Sequence, residues 1–130
     1  MQTAIIRASE HWNRTAITLQ KGRAYRFRVR GEWTDCSIGS DARGYSRWYL
    51  RLFEPLRRVP EAQWFALIGA YDLKPSTCFD IGRLIADHTG RYVASHSGGL
   101  TCFANDLPFM YWNNKGVIEL DVFDADEADS

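Results

Sequence analysis

The chain predicts an all-β fold, an antiparallel sandwich of short strands. Two segments, Ala24–Arg30 and residues 117–123, alternate apolar and charged residues strictly, the period of a strand with one buried face. Turn signals recur along the whole chain, and no long segment carries a helical period. At 130 residues, with 45% hydrophobic and 14% aromatic residues, the chain is one domain with a packed core. The sandwich is assigned to residues 1–123. Residues 124–130 hold four acids and no large apolar side chain, and are read as a frayed tail.

Residues 3–7 form a first strand. Residues 15–19 and Ala24–Arg30 flank the turn signal Gln20-Lys21-Gly22-Arg23 and are read as a strand pair. In the second of them Tyr25, Phe27 and Val29 face one way and Arg26, Arg28 and Arg30 the other. Residues 117–123 are the complement: Ile118, Leu120 and Val122 alternate with Glu119 and Asp121. The two are therefore expected to pair antiparallel, arginines opposite acids. Residues 37–45 form a polar loop. Residues 47–58 are a short helix or an irregular strand, stopped by Pro55 and Pro60. The unbroken apolar run 64–69 reads as a central strand buried on both faces, with Gly69 a bulge or a close approach. Residues 77–81 form a strand before a turn at Gly82, and 92–94 a short strand before the loop 96–99.

The chemistry is concentrated near the end. The apolar strand 100–104 enters the loop Asn105-Asp106-Leu107-Pro108-Phe109-Met110-Tyr111-Trp112-Asn113-Asn114-Lys115-Gly116, and the alternating strand leaves it. Asp106, Asn113 and Asn114, with Asn105 as a further candidate, can supply oxygen ligands. Hard cations such as calcium take six to eight such oxygens. The same residue types also serve ordinary turns.

These residues resemble a family signature. Asn105-Asp106-Leu107-Pro108, Tyr111 and Asn113-Asn114-Lys115-Gly116 are similar to the motif of the PA-IL-like bacterial lectins, which are calcium-dependent, galactose-binding β-sandwiches. The resemblance implies a jelly-roll, galactose-binding-domain-like fold and non-catalytic recognition of a hexose such as galactose, assisted by calcium. Family members are oligomeric, so a homo-oligomer is a candidate state, though no residue of the sequence specifies it. It implies calcium ligation by the side chains of Asp106, Asn113 and Asn114 and by the backbone carbonyls of Met110 and Cys36. It places sugar contacts at Asp106, Leu107, Asn113, Trp112 and Gln63. The chain departs from the motif at Phe109 and Trp112, where the family has glycine, and has no histidine between Cys36 and Ala62. The alternative is an interaction or structural module of the same fold that has lost the sugar.

Other classes find less support. Sixteen basic and sixteen acidic residues cancel, which argues against a polyanion partner or membrane binding. The aromatics of Ala24–Arg30 point away from its arginines, so bases cannot stack beside them, and no nucleic-acid partner is expected. His11, His88 and His96 have no metal-ligand spacing, and no Gly-x-Ser-x-Gly elbow exists. The chain is read as no enzyme. Three cysteines without CxxC spacing predict neither disulfides nor zinc, and Cys102 is expected in the core. No signal-peptide pattern or membrane-spanning run is visible, so the expected location is the cytoplasm, or export without a cleavable signal. Asp41 and Tyr45 are candidates for lining the same end of the sandwich as Asp106.

Overall fold

The computed structural model describes residues 1–35, 38–87 and 91–125, with the side chains of Asp35, Trp48 and Tyr49 excepted. Its strands are β1 (Gln2–Arg7), β2 (Asn13–Leu19), β3 (Ala24–Arg30), β4 (Trp33–Asp35), β5 (Ile38–Ser40), β6 (Leu67–Tyr71), β7 (Phe79–Asp80), β8 (Arg91–Val93), β9 (Gly98–Ala104) and β10 (Asn114–Asp124). A 3-10 segment, Trp48–Leu56, precedes β6, and a short α-helix, α1 (Ile81–Ala86), follows β7. Among the described residues the strands form two antiparallel sheets. One holds β5, β4, β10, β3 and β8, with β1 also on β10, and the other runs β2-β9-β6-β7. The class is the expected all-β sandwich.

β10 organises the larger sheet, and its pairing with β3 is the expected one. Arg30 faces Glu119, Arg28 faces Asp121, and Phe27 faces Val122 across the ladder. Arg30 meets Glu119 at 2.6 Å and Arg28 meets Asp121 at 3.0 Å. On the inner face Ile118, Leu120 and Val122 are buried with Phe27, Leu67 and Leu100, whereas Val29 is only partly covered. β4 continues the register of β3, Trp33 facing Gly116 and Asp35 facing Asn114. The strand that carries the ladder thus begins at the candidate site.

Three expectations are corrected. β2 and β3 do not pair; they lie in opposite sheets. The turn between them gives its backbone to Ala94, which accepts from Gly22 N at 2.9 Å and donates to Arg23 O at 2.9 Å, so the chain crosses layers instead of folding back. The apolar run at 64–69 is not one strand. β6 starts at Leu67, while Trp64 forms an isolated bridge with Tyr45 and Phe65 turns the chain at φ 60°. All five β6 residues are buried, as a central strand should be, and a side chain at Gly69 would meet the Phe79 ring at 2.7 Å. Finally, the strand read at 77–81 shrinks to β7, and Gly82 lies inside α1. That helix is capped by the Asp80 carboxylate, which accepts from Arg83 N at 2.9 Å. Cys102 is fully buried and its thiol pKa is pushed up by that burial. The residues 126–130 of the predicted tail lie outside the described residues; β10 itself runs to Asp124, which pairs with Arg23.

Candidate functional site

β9 ends at Ala104 in one sheet and β10 starts at Asn114 in the other, so the loop between them spans the end of the sandwich. Its entry is held by Asn105, which is fully buried. The Asn105 amide donates to the carbonyls of Val59 (2.8 Å), Gln63 (3.0 Å) and Ala62 (3.2 Å), and its Oδ1 accepts from Val59 N at 2.9 Å. The backbone adds two bonds, Phe65 N to Asn105 O at 2.7 Å and Asn105 N to Ala66 O at 3.0 Å. Asn105 Oδ1 is thus engaged by Val59 N, and the residue ties the loop to the segment before β6.

The far side of the loop is pinned by aromatic packing. The Arg58 guanidinium lies over the Phe103 ring, 3.5 Å from its centre, and donates to the Tyr111 hydroxyl at 3.0 Å. Tyr111 is buried, donates to Ala104 O and stacks on His11 at 4.4 Å. Burial raises its phenol pKa, with Arg58 opposing, so Tyr111 stays a neutral donor. Arg58 N also donates to Asp106 O at 3.1 Å. These bonds fix where the polar side chains emerge.

Asp106 is 3% exposed, and its Oδ1 accepts from Leu107 N at 2.7 Å. Asn114 is 4% exposed, and its amide nitrogen donates to Ala8 O at 3.1 Å. The side-chain oxygens of Asn113 and Asn114 are buried, with no hydrogen-bond donor on either among the described residues. A buried acceptor left so is destabilising by about 1–3 kcal/mol. Two such atoms on neighbouring residues, at the end of the loop that opens with a buried carboxylate, fit a hard cation. Asp106, Asn113 and Asn114 would hold it.

Asp106, Leu107, Met110 and Asn113 line one cavity of about 560 Å³. Tyr45 joins them, whereas Asp41 is turned to Arg43 at 2.7 Å and lines a different hollow. The Arg43 guanidinium holds the Asp41 carboxyl below its usual range. Trp112 is 78% exposed and Gln63 is exposed; neither lines the cavity. Gln63 approaches the loop through its carbonyl, on Asn105. Cys36 lies outside the described residues. Gly44 fits where a side chain would stand 2.4 Å from Trp64 O, so its absence lets Tyr45 bridge to Trp64 behind the cavity.

The opposite wall is Leu50, Phe53 and Leu56 of the 3-10 segment. Nothing in their residue types marked them as site residues. Their spacing of three was the readable signal, since positions i and i+3 eclipse in a 3-10 helix and share a face.

No protein-family model and no curated protein matches the chain. Among solved structures it is similar to one described as "EclA N-terminal domain; PllA-like lectin", with a TM-score of 0.66 and 14% identity over 95% of each chain. At that identity the likeness shows the fold, which extends over nearly the whole of both chains.

Proposed function

We propose that this chain is a non-catalytic carbohydrate-binding domain, in which a calcium ion at the 105–114 loop bridges the protein to vicinal hydroxyls of a hexose such as galactose. The observation that carries the reading is the pair of buried oxygens on Asn113 and Asn114 that meet no donor among the described residues, with the Asp106 carboxylate buried at the start of the same loop. The fold shared with a structure described as a lectin supports it. Among the described residues no three of His, Cys, Asp and Glu cluster. The proposed donor set is amide, carbonyl and one carboxylate. That is a calcium-type set, and a single charge in it predicts weak binding, about 10⁻⁴–10⁻³ M. A bound ion would supply a flexible coordination shell in which sugar hydroxyls replace water. Leu107 lines the cavity beside the carboxylate, and Trp112 offers an exposed ring on the same turn as Asn113.

Calorimetric titration of chelated protein with calcium, then of the calcium-loaded protein with methyl hexopyranosides, tests the reading. Binding of a sugar only when calcium is present is the expected result; absence of both heats overturns it. A second reading rests on Leu52, Phe53, Leu56, Phe109 and Trp112, all 47–89% exposed. Of these, Phe53, Leu56 and Phe109 line the same cavity, and exposed large apolar side chains brought together suit a protein partner or a second copy.

A further inference from the structure

Equal numbers of acids and bases over the whole chain hide an uneven distribution. Strand register sets the outer face of the larger sheet. Ile5 stands opposite Glu119, which stands opposite Arg30; Thr3 stands opposite Asp121, which stands opposite Arg28. Arg7 with Val117, Arg26 with Phe123, and Lys115 with Thr34 extend the same face. Within these pairs the cations are Arg7, Arg26, Arg28, Arg30 and Lys115, all exposed, and the acids are Glu119 and Asp121. Positive charge is in excess.

The acids do not cancel that charge at the surface. Asp121 is fully buried, and its Oδ2 lies 3.0 Å from Arg28 Nη2 and 3.5 Å from Arg30 Nη2. The two arginine side chains remain 57% and 59% exposed. The carboxylate is thus the inner layer and the guanidiniums the outer one. It holds them in place, and a guanidinium has more N–H donors than one carboxylate takes. Apolar side chains lie among the cations. Ile5 is 47% and Val117 41% exposed, and the Arg28 guanidinium lies over the Phe123 ring, 5.1 Å from its centre.

This mixture selects among anionic partners. A nucleic acid or a sulfated polymer would meet the cations and leave Ile5 and Val117 without an apolar neighbour. Tyr25 and Phe27, which could stack bases, are buried on the opposite face of β3. An anionic bilayer suits both sets: its headgroups accept from the guanidiniums, and its acyl boundary takes the aliphatic side chains. We propose that the outer face of the larger sheet docks on an anionic lipid surface, lying on it without crossing it. The contact runs along the sheet and requires neither an ion nor a sugar at the 105–114 loop.

The test is vesicle flotation of the full chain, with chelator present and no glycolipid in the vesicles, so that neither calcium nor a sugar contributes. Phosphatidylcholine vesicles are compared with vesicles that also hold about 30% phosphatidylserine, an anionic lipid. Binding to the anionic vesicles should be at least about tenfold tighter than to the neutral ones, and should fall as salt is raised. R7Q and R26Q should each weaken it about fivefold, the effect of one cation near such a surface, whereas R26K should keep it. I5S and V117S should each weaken it about threefold, as exposed apolar surface that leaves water would. Melting temperatures verify that the variants fold. Equal binding to both kinds of vesicle, no binding to the anionic ones at low salt, or binding that survives both R7Q and R26Q overturns the inference. If heparin or a DNA duplex binds as tightly as the anionic vesicles, and I5S and V117S leave vesicle binding unchanged, the face is a polyanion site and the inference is wrong. Each of these failures leaves the carbohydrate reading standing.

Discussion

Asn105 and Val59, far apart in sequence, pair as two strand residues would. The Asn105 side chain donates to Val59 O at 2.8 Å and accepts from Val59 N at 2.9 Å. One amide thereby replaces a missing stretch of sheet between the loop after β9 and the segment before β6. Asn105→Ala removes these bonds and strands the carbonyls of Val59, Ala62 and Gln63, the Ala62 one in a buried bond. The expected loss is about 2–4 kcal/mol, read from urea denaturation. A loss under about 0.5 kcal/mol would show that water replaces the amide.

Asp106→Ala should abolish the calcium-dependent rise in melting temperature expected of the wild type, because a ligand that binds only the folded state stabilises it by mass action. Asn113→Ala should weaken the rise. Asn114→Ala should weaken it and also lower the melting temperature without calcium, since its amide holds Ala8 O. A wild-type melt that does not move at millimolar calcium counts against the ion.

Asp121 links stability to pH. It is fully buried on the outer face of β10, bonded by Thr3 Oγ1 at 2.7 Å and by Arg28, and these contacts hold its pKa below the usual range. A depressed folded pKa contributes stability that is present above the unfolded value, about 3.9, and is lost as pH falls through the lower folded value. Stability should therefore drop on acidification below about pH 4. Asp121→Asn should flatten that part of the profile; an unchanged slope would place the acid sensitivity elsewhere.

Leu120 is fully buried at the centre of the β3–β10 ladder, opposite Val29. Leu120→Ala should destabilise by about 2–5 kcal/mol in a thermal or denaturant melt.

Trp112→Ala separates the two functional readings. At 78% exposure its ring contributes little to folding, so stability should change by less than about 0.5 kcal/mol. Weaker glycan binding at unchanged mass supports the lectin reading. Dissociation on sedimentation, with no sugar bound by either form, supports the interaction module.

The larger sheet was legible because two kinds of information agreed. Alternation told which side of β3 and β10 faces inward, and opposite charges told which residues meet, as Arg28 and Asp121 do. For β2 the alternation named a strand but no partner, and a four-residue turn can fold back or cross layers equally well. At Trp64-Phe65 the kink left no mark, because an apolar run carries no punctuation and phenylalanine is rarely found at φ 60°. In the site, residue type could nominate Asn105, Asn113 and Asn114 alike. Only the fold separates them: the first turns its oxygen to a backbone amide, the other two do not. The apolar wall needed the 3-10 geometry of Trp48–Leu56, which lies far from the motif in sequence.

The loop leaves one layer of the sandwich at Ala104 and enters the other at Asn114. Any ion shared by Asp106 and Asn114 would thus act as a rivet through both layers. Shearing the sheets apart and releasing the ion become a single event, so the ligand's residence time and the lifetime of the folded domain under load should rise and fall together. A chain pulled across its two sheets in the presence and absence of calcium would expose that coupling as a change in rupture force.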